Sequence, residues 1–240
     1  MSTSLHISAL LTGRGNNTLA DKNVLPVFGK PLLSYPANAA KKVAGISSFY
    51  VSSDCEKILS AADGCGYTRI LRPDALALPD AQHEDVINHA LKVMREQGTN
   101  PDIMVVLLAN TVTVKADWIE TCINFLLENP ELTAAVPVYR EMDHHPFRAK
   151  KVDKSGLLEP FFDFSGKKVS TNRQDLEPSF FLCHNFWVLN LNTINREIGQ
   201  APWKFMGNKV KPFEVDEAFD VHTTDDLIKS EKWLVREGLV

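Results

Sequence analysis

Apolar and polar positions alternate along the chain in two rhythms, one typical of strands and the other typical of helices. Short apolar runs bounded by polar or turn-forming residues predict strands at residues 5–11, 48–52, 68–71, 103–109, 133–138 and 186–191. Helical spacing of apolar residues predicts helices at residues 31–43, 54–62, 84–96, 117–128 and 225–235. This order of strands and helices indicates an α/β fold with a doubly wound, mostly parallel sheet.

Local signals refine several of these elements. The run at residues 103–109 is apolar at every position, as expected of a central strand buried on both faces. Pro36 lies within the first predicted helix, where it either kinks the helix or marks a delayed start. Asp54 is a candidate N-cap for the second helix, and Gly64 lies near its end. Ligands of such sheets bind at the carboxyl ends of the strands, so the chemistry is expected in the loops there.

The pattern becomes irregular in the second half of the chain. Residues 146–190 predict strands with a turn at residues 154–156, and a polar loop follows over residues 165–179. The chain has no internal repeat, low-complexity tract or linker. The simplest architecture is one domain over residues 1–240 that carries an insertion at about residues 140–185.

Composition and charge exclude several classes of protein. The chain has 240 residues, 44% hydrophobic and 23% charged, which is typical of a globular protein and not of a disordered or coiled-coil chain. A net charge of −4 gives no overall basic surface for nucleic acid. No apolar run approaches the roughly 18 residues of a membrane span, and the N-terminus lacks the basic region of a signal peptide. The four cysteines are far apart, without a CxxC pair, so we expect a reduced cytoplasmic protein and no disulfide framework.

The loop after the first predicted strand has the chemistry of an anion site. Gly13 and Gly15 let backbone N–H groups approach a ligand, and Arg14 and Lys22 add positive charge that suits a polyphosphate. The loop is neither a GxGxxG fingerprint nor a Walker loop. From these residues alone, a polar surface loop with two solvated cations is an equal alternative.

This loop, with residues 29–32 (GKPL), resembles the opening of the sugar-activating cytidylyltransferases, in particular the CMP-sialic acid synthetases. Six later segments resemble motifs of the same family in the same order: residues 51–54 (VSSD), 72–77 (RPDALA), 107–115 (LLANTVTVK), 143–148 (DHHPFR), 173–174 (RQ) and 220–227 (DVHTTDDL). Each segment is a weak signal alone. Together, in order and at compatible spacing, they give a specific resemblance over most of the chain.

The resemblance implies a nucleotide-diphospho-sugar transferase fold and a transfer reaction. CTP and a sialic-acid-like 2-keto sugar acid would give a CMP-sugar and pyrophosphate when the sugar hydroxyl attacks the α-phosphate. Arg14 and Lys22 would be the catalytic cations. The implied nucleotide-binding residues are Gly13, Arg14, Gly15, Lys22, Asn23 and Arg72. The family also dimerises by exchanging a segment of the insertion, which implies a homodimer.

The same resemblance implies the sugar and metal residues. Asn110, Arg148 and Arg173 would face the sugar acid, whose carboxylate a guanidinium can pair with in a bidentate manner. Asp220 and His222 would occupy the metal position, with Mg²⁺ as the expected cofactor and Mn²⁺ as its alternative.

The chain departs from the family's motifs at several positions. Residues 16–19 (NNTL) lack the loop lysine that contacts phosphate in the family, and His222 replaces the second aspartate of its Asp-x-Asp. Ala109, Phe181 and Cys183 replace a glutamine, an arginine and an asparagine on the sugar side. Because these changes cluster on the sugar side, they favour a different keto-sugar acid over a different nucleotide.

Several alternatives remain open from the sequence. A catalytically weakened, nucleotide-binding homologue would also explain the missing lysine and His222. A third hypothesis keeps the enzyme but takes another sugar, such as a hexose phosphate, which Arg148 and Arg173 would also suit. His144 and His145 are adjacent and therefore rarely share one metal ion. Finally, the aromatic residues at 161, 162 and 164 are interpreted as packing on a partner or a lid.

Overall fold

A mixed sheet flanked by helices forms the centre of the structure, a computed structural model that describes residues 5–141, 143–166 and 168–240. Its strands, with the short pairs outside the main sheet, are Ile7–Thr12 (β1), Pro26–Val27 (β2), Lys30–Pro31 (β3), Ile46–Ser53 (β4), Thr68–Leu71 (β5), Ile103–Leu108 (β6), Ala134–Glu141 (β7), Lys150–Val152 (β8), Leu158–Pro160 (β9), Ser179–Leu182 (β10), Phe186–Asn190 (β11) and Val210–Glu214 (β12). The α-helices are Ser34–Lys41 (α1), Glu56–Asp63 (α2), His83–Glu96 (α3), Ala116–Glu128 (α4) and Thr224–Arg236 (α5).

The main sheet has the order β10-β7-β11-β6-β1-β4-β5, with β12 added beside β7. The pairs β1–β4, β1–β6, β4–β5 and β12–β7 are parallel. Strand β11 runs antiparallel to both β6 and β7, and β10 runs antiparallel to β7. The predicted doubly wound α/β sheet is therefore confirmed in its parallel half, and the antiparallel pairs all lie on the β11 side.

Strand β6 shows how the sheet separates two apolar layers. Its six residues are all buried and alternate between two core clusters. Ile103, Val105 and Leu107 join the cluster formed with α1, α2 and α4. Met104, Val106 and Leu108 join the cluster formed with α3. The prediction of a strand buried on both faces is confirmed, since helices cover both sides of the sheet.

The structure also decides the details left open at the helix starts. Helix α1 begins at Ser34, so Pro36 falls in its first turn, where backbone N–H groups have no helical partner and proline is tolerated. The prediction that Asp54 caps α2 is wrong, because Cys55 occupies that position and no side chain caps the helix. Thr223 and Asp226 form a capping box at the start of α5.

Strand β12 was missed because its sequence lacks a strand pattern. It contains Pro212 and two exposed, charged residues, Lys211 and Glu214, which the sequence alone presents as a loop. The strand lies beside β7 in parallel, at an edge where a missing N–H costs little. No helix in the described part of the chain is long and apolar enough to cross a membrane.

The irregular segment forms a small hairpin and loops away from the main sheet. Strands β8 and β9 pair with each other around the turn predicted at residues 154–156. Large apolar side chains of this segment are exposed, at Phe147, Val152, Leu157, Leu158, Phe161 and Phe162. We call residues 146–178 the arm, and its exposed apolar surface contrasts with the buried core on both faces of the main sheet.

Candidate functional site

A cavity of about 560 Å³ opens at the carboxyl ends of β1, β5 and β6. Of the residues proposed from the sequence, it brings together Gly13, Arg14, Lys22, Asn23, Arg72, Asn110, Asp220 and His222. Residues up to 209 positions apart in the chain therefore meet at the edge of the sheet where a doubly wound fold binds ligands.

The two loop glycines permit close packing of the loop on its neighbours. A Cβ atom at Gly13 would lie 2.9 Å from the Cβ of Ala109, and one at Gly15 would lie 2.7 Å from the Cβ of Cys55. Gly15 N also donates to Asp54 Oδ1 at 2.9 Å. The aspartate expected to cap α2 instead anchors the loop, and the glycines are needed because any side chain there would push the loop outward.

The loop also fixes the backbone of Arg14. Its carbonyl oxygen accepts bonds from Asn17 Nδ2 at 2.6 Å and from Asn23 Nδ2 at 3.1 Å. The Arg14 guanidinium donates to the carbonyl of Leu78 across the cavity at 3.0 Å. With one of its five N–H groups engaged in this way, the guanidinium keeps donors for an anion in the cavity.

Lys22 is a buried cation in the cavity wall. Burial lowers the pKa of its ammonium, the nearby Asp220 carboxylate opposes this change, and Arg14 adds to it. In the described part of the chain, no protein group accepts a hydrogen bond from the Lys22 ammonium. A buried charge without such a partner favours an anionic ligand that would restore the lost hydration.

Arg72 is held by the sheet itself. Its Nε donates to Ser52 Oγ at 3.2 Å and its Nη2 to the Ser52 carbonyl at 2.7 Å, at the end of β4. Burial lowers its pKa to about 10, with Asp54 opposing and Arg14 adding to the change. Arg72 therefore remains charged at neutral pH and contributes a fixed positive charge to the cavity.

Asp220 lies at the centre of a short polar chain. Its Oδ2 accepts from Asn110 Nδ2 at 3.1 Å and lies 2.6 Å from His222 Nε2. In the described residues, no three His, Cys, Asp or Glu side chains are close enough together to hold a metal ion. A single carboxylate fits Mg²⁺, which binds through one or two carboxylates and substrate phosphates, whereas the imidazole of His222 does not fit. The donors present therefore suit a magnesium ion that arrives with its nucleotide.

The other end of the cavity was not anticipated from the sequence. His83 and His184 line it, and both rings pack edge-on against Trp187, at 5.1 and 6.1 Å between centroids. Loss of hydration by the ring is the main cause that lowers the pKa of His83 to about 4, and the nearby His184 and Arg72 add to this change. The ring is therefore neutral at pH 7. The position of His83 shortly after the RPDALA segment, which resembles a family motif, could have indicated a place in the site. His184 carried no such signal, because only the antiparallel course of β11 brings it there.

This end also carries apolar surface, from Leu76, Leu78, Pro79 and Val86. The lining of the cavity therefore combines cations and a carboxylate with apolar side chains and the neutral imidazole of His83. Such a lining suits a ligand with a charged part and a flat, uncharged part.

The two arginines predicted for the sugar acid lie outside the cavity. Arg173 Nη1 pairs with the Asp143 carboxylate, and Arg148 Nη1 donates to the Asp143 carbonyl at 3.3 Å. Both side chains are exposed, and both residues belong to the arm. The structure thus brings these two residues to each other through Asp143, while Asn110 lies at the cavity beside Asp220.

The neighbouring histidines have separate partners. His144 Nδ1 lies 3.3 Å from the Glu141 carboxylate, and His145 Nδ1 accepts from Phe147 N at 3.1 Å. The side chains therefore do not form a joint site, as their adjacency in the sequence indicated.

Comparison with known proteins identifies the family. Residues 15–154 match the model of the cytidylyltransferase family. An N-acylneuraminate cytidylyltransferase of Escherichia coli O18:K1:H7 is 34% identical over 88 residues, which cover 36% of this chain and 21% of that protein. One from Streptococcus agalactiae serotype V is 24% identical over 219 residues, 89% of this chain and 49% of that protein. An 8-amino-3,8-dideoxy-manno-octulosonate cytidylyltransferase of Shewanella sp. (strain ANA-3) is 28% identical over 103 residues, 40% of this chain and 42% of that protein.

Solved structures agree on the fold. The chain is similar to a CMP:2-keto-3-deoxy-manno-octonic acid synthetase complexed with CTP, with a TM-score of 0.70 and 16% identity, covering 97% of this chain and 99% of that one. It is also similar to a 4-diphosphocytidyl-2C-methyl-D-erythritol synthase from Anaerococcus prevotii, with a TM-score of 0.66 and 13% identity, covering 98% of this chain and all of that one.

These neighbours confirm the nucleotide-diphospho-sugar transferase fold that the resemblance implied. Since the family model covers more than half of the chain, the chain belongs to the cytidylyltransferase family. The matched regions span about half or less of the length of the curated relatives.

Proposed function

We propose that this chain transfers the cytidylyl group of CTP to a sialic-acid-like 2-keto sugar acid, giving a CMP-sugar and pyrophosphate. The observation that carries the proposal is the meeting of Arg14, Lys22 and Asp220 in one cavity of a cytidylyltransferase-family chain. Such a transfer needs positive charge on the triphosphate and in-line placement of the attacking hydroxyl more than it needs covalent catalysis.

The mixed lining of the cavity supports one mode of nucleotide binding. The triphosphate lies against Arg14 and Lys22, whose charges stabilise the pyrophosphate as it leaves. The cytosine packs on the apolar side chains of the lining and the neutral ring of His83, which suit an uncharged aromatic base. Arg72, fixed by Ser52, orients the nucleotide.

The cofactor in this proposal is Mg²⁺, with Mn²⁺ as the alternative. Asp220 holds the ion together with phosphate oxygens, and Lys22 balances the carboxylate while the site is without nucleotide. When bound, the ion screens the triphosphate charge and polarises the phosphate that is attacked.

The sugar acid approaches from the side of Asn110 and the arm. Asn110 lines the cavity and its amide contacts Asp220, which supports a place for it beside the attacking hydroxyl. Arg148 and Arg173 would bind the sugar carboxylate, which would replace Asp143 as the partner of the guanidinium. The small Ala109, Phe181 stacked on Tyr139 and the buried Cys183 favour a sugar acid that differs from the usual one.

We also propose a homodimer in which the insertion, at about residues 140–185, packs on its counterpart. Leu157 and Leu158 are 66% and 73% exposed, and two neighbouring phenylalanines are also exposed. A run of such side chains is costly in water and favours burial against a second copy. The cytoplasmic location expected from the reduced cysteines remains a prediction.

A nucleotide-binding homologue without transfer activity is the second candidate. The observation in its favour is that Asp220 Oδ2 already contacts both Asn110 and His222, which compete with a metal ion for that oxygen. This candidate predicts CTP binding without turnover.

One experiment separates the two candidates. The chain is incubated with CTP, Mg²⁺ or Mn²⁺ and a panel of 2-keto sugar acids, with a hexose phosphate as the matched anionic alternative, and released pyrophosphate is measured. The proposal predicts release with a sugar acid and CTP, and none with the hexose phosphate. Calorimetric CTP binding with no release from any acceptor would support the second candidate and overturn the first.

A further inference from the structure

Two buried threonine hydroxyls bind the backbone immediately before Asp220. Thr111 and Thr113 lie between β6 and α4, and both are fully buried. Thr111 Oγ1 donates to the carbonyl of Phe219 at 2.7 Å, and Phe219 N donates to Thr113 Oγ1 at 3.2 Å. The two hydroxyls therefore hold both backbone polar groups of the residue that precedes Asp220.

The two threonine hydroxyls also lie within hydrogen-bond distance of each other, and each has one hydrogen to donate in this network. Thr113 N donates to Thr111 Oγ1 at 3.1 Å, and the two hydroxyl oxygens are 2.8 Å apart. With the Thr111 proton on Phe219 O, the Thr113 hydroxyl donates either to Thr111 Oγ1 or to the same Phe219 carbonyl, 3.1 Å away. Asn185 Nδ2 adds a bond to the Thr113 carbonyl at 2.9 Å. Removing either hydroxyl would leave a buried polar group without a partner, which is costly.

No strand ladder performs this task for the segment. Residues 215–223 connect β12 to α5 without helix or strand. Val221 N donates to the Asn110 carbonyl at 2.7 Å, and Asn110 Nδ2 donates to Asp220 Oδ2 at 3.1 Å. The backbone is thus fixed on both sides of Asp220, and an amide orients its carboxylate.

We propose that Thr111 and Thr113 are positioning residues that set the direction of the Asp220 carboxylate toward the metal ion and the triphosphate. Neither side chain lines the cavity, so their effect reaches the substrate through the backbone that they hold next to Asp220. The inference rests on the proposed function, in which Asp220 binds the metal ion of the nucleotide complex. Groups of this kind, one step behind a ligand, hold its orientation and tune its affinity.

The test uses isosteric variants that remove the hydroxyl and keep the shape. Thr111→Val and Thr113→Val are compared with Thr111→Ser and Thr113→Ser, which keep the hydroxyl. Thr133→Val is the matched control, because Thr133 is also buried and its Oγ1 accepts a bond from Lys209 N at 3.0 Å, at β7 and away from the cavity.

Two readouts distinguish positioning from a general loss of structure. Electron paramagnetic resonance measures Mn²⁺ binding in the presence of CTP, and calorimetry measures CTP binding without metal. We expect the valine variants to weaken Mn²⁺ binding about 10-fold. Metal-free CTP affinity should change less than about 2-fold, since Arg14 and Lys22 are untouched. Serine variants should restore Mn²⁺ binding, and amide exchange at Phe219 should accelerate only in the valine variants.

The outcomes separate this inference from the proposed function. Wild-type Mn²⁺ binding that is unchanged in folded valine variants, or weakened equally by Thr133→Val, overturns the positioning role alone. A wild-type chain that binds no Mn²⁺ with CTP overturns the proposed function and this role together. If a valine variant does not melt cooperatively, the alanine variant replaces it under the same expectation.

Discussion

Arg72 in the cavity and Arg173 in the arm are held in different ways. Arg72 is buried and donates two bonds to Ser52 at the end of a strand, so its position is set by the sheet. Arg173 is exposed, and its charge is paired with Asp143, whose side chain is also exposed. The nucleotide end is thus organised before any ligand arrives, whereas the sugar side would pay an ordering cost when its ligand or a second copy binds.

This difference has a chemical reason. The triphosphate is the reacting group, and transition-state charge is stabilised best by donors that need no rearrangement. The acceptor side sets specificity and tolerates adjustment. The comparison predicts that changes in the cavity lower turnover strongly, while changes beside the arm mainly weaken acceptor binding.

The largest expected effect is that of Lys22→Ala. Removing the buried ammonium takes away a cation that faces the triphosphate, so kcat/KM should fall about 100- to 1,000-fold with an unchanged melting temperature. Lys57→Ala is the control, because Lys57 is exposed and its pair with Asp21 is a surface ion pair of small value. Pyrophosphate release measures both. An unchanged rate in Lys22→Ala would remove Lys22 from the phosphate site.

Gly15→Ala should have the next largest effect. Its new Cβ would lie 2.7 Å from the Cβ of Cys55, so the loop must move and carry Arg14 with it. Because small displacements of a charged group cost much rate, turnover should fall about 10- to 100-fold. Gly45→Ala, whose Cβ would meet only Ile7 Cδ1 at 3.8 Å, should leave the rate within about 2-fold. Equal rates for the two variants would contradict the close-packing account of the loop.

Arg173→Ala tests the other region. A lost charged hydrogen bond should raise the KM of the sugar acid about 10-fold while the KM of CTP stays nearly constant. Arg140→Ala is the control, since Arg140 on β7 is also exposed and pairs with Glu214 on β12. If both KM values rose together, the proposed separation of nucleotide and sugar sides would fail.

The smallest expected effect concerns His83. Its folded pKa of about 4 lies below the unfolded value of about 6.5, so the unfolded state binds the proton first as pH falls. The stability that neutral His83 contributes is therefore present above pH 6.5 and is lost between pH 6.5 and 4. Because the ring faces the open cavity, this contribution to stability is only about 1 kcal/mol, which corresponds to about 2–4 °C in melting temperature. His83→Gln should lose less stability than wild type between pH 7 and pH 4.5, and equal losses would contradict the shifted pKa.

The comparison also marks what the sequence could predict. The fully apolar run of β6 and the helical spacing of α3 and α4 were sufficient to predict these elements, because each pattern lies within one short segment of the chain. Strand β12 was missed because Pro212 and neighbouring charges conceal an edge strand that only its pairing with β7 defines. Eight of the residues proposed from the family resemblance line one cavity of the structure. Their roles in binding and catalysis stay predictions.

The remaining site features depend on contacts distant in the chain. Asp54 was interpreted as a helix cap, yet its carboxylate bonds to Gly15, 39 residues away. His184 reaches the cavity only because β11 runs antiparallel beside β6. The Thr111 hydroxyl meets Phe219 across 108 positions, and no local pattern predicts such a contact.

The central claim is that the cytidylyl group is transferred inside the cavity lined by Arg14, Lys22 and Asp220. Its most direct measurement follows the α-phosphorus of labelled CTP in the presence of Mg²⁺ and each sugar acid of the panel. We predict that the label moves from CTP to a CMP-sugar, in amounts equal to the pyrophosphate released, and that Lys22→Ala abolishes this movement. Label that stays in CTP with every acceptor and both metals, while CTP still binds, would contradict the account.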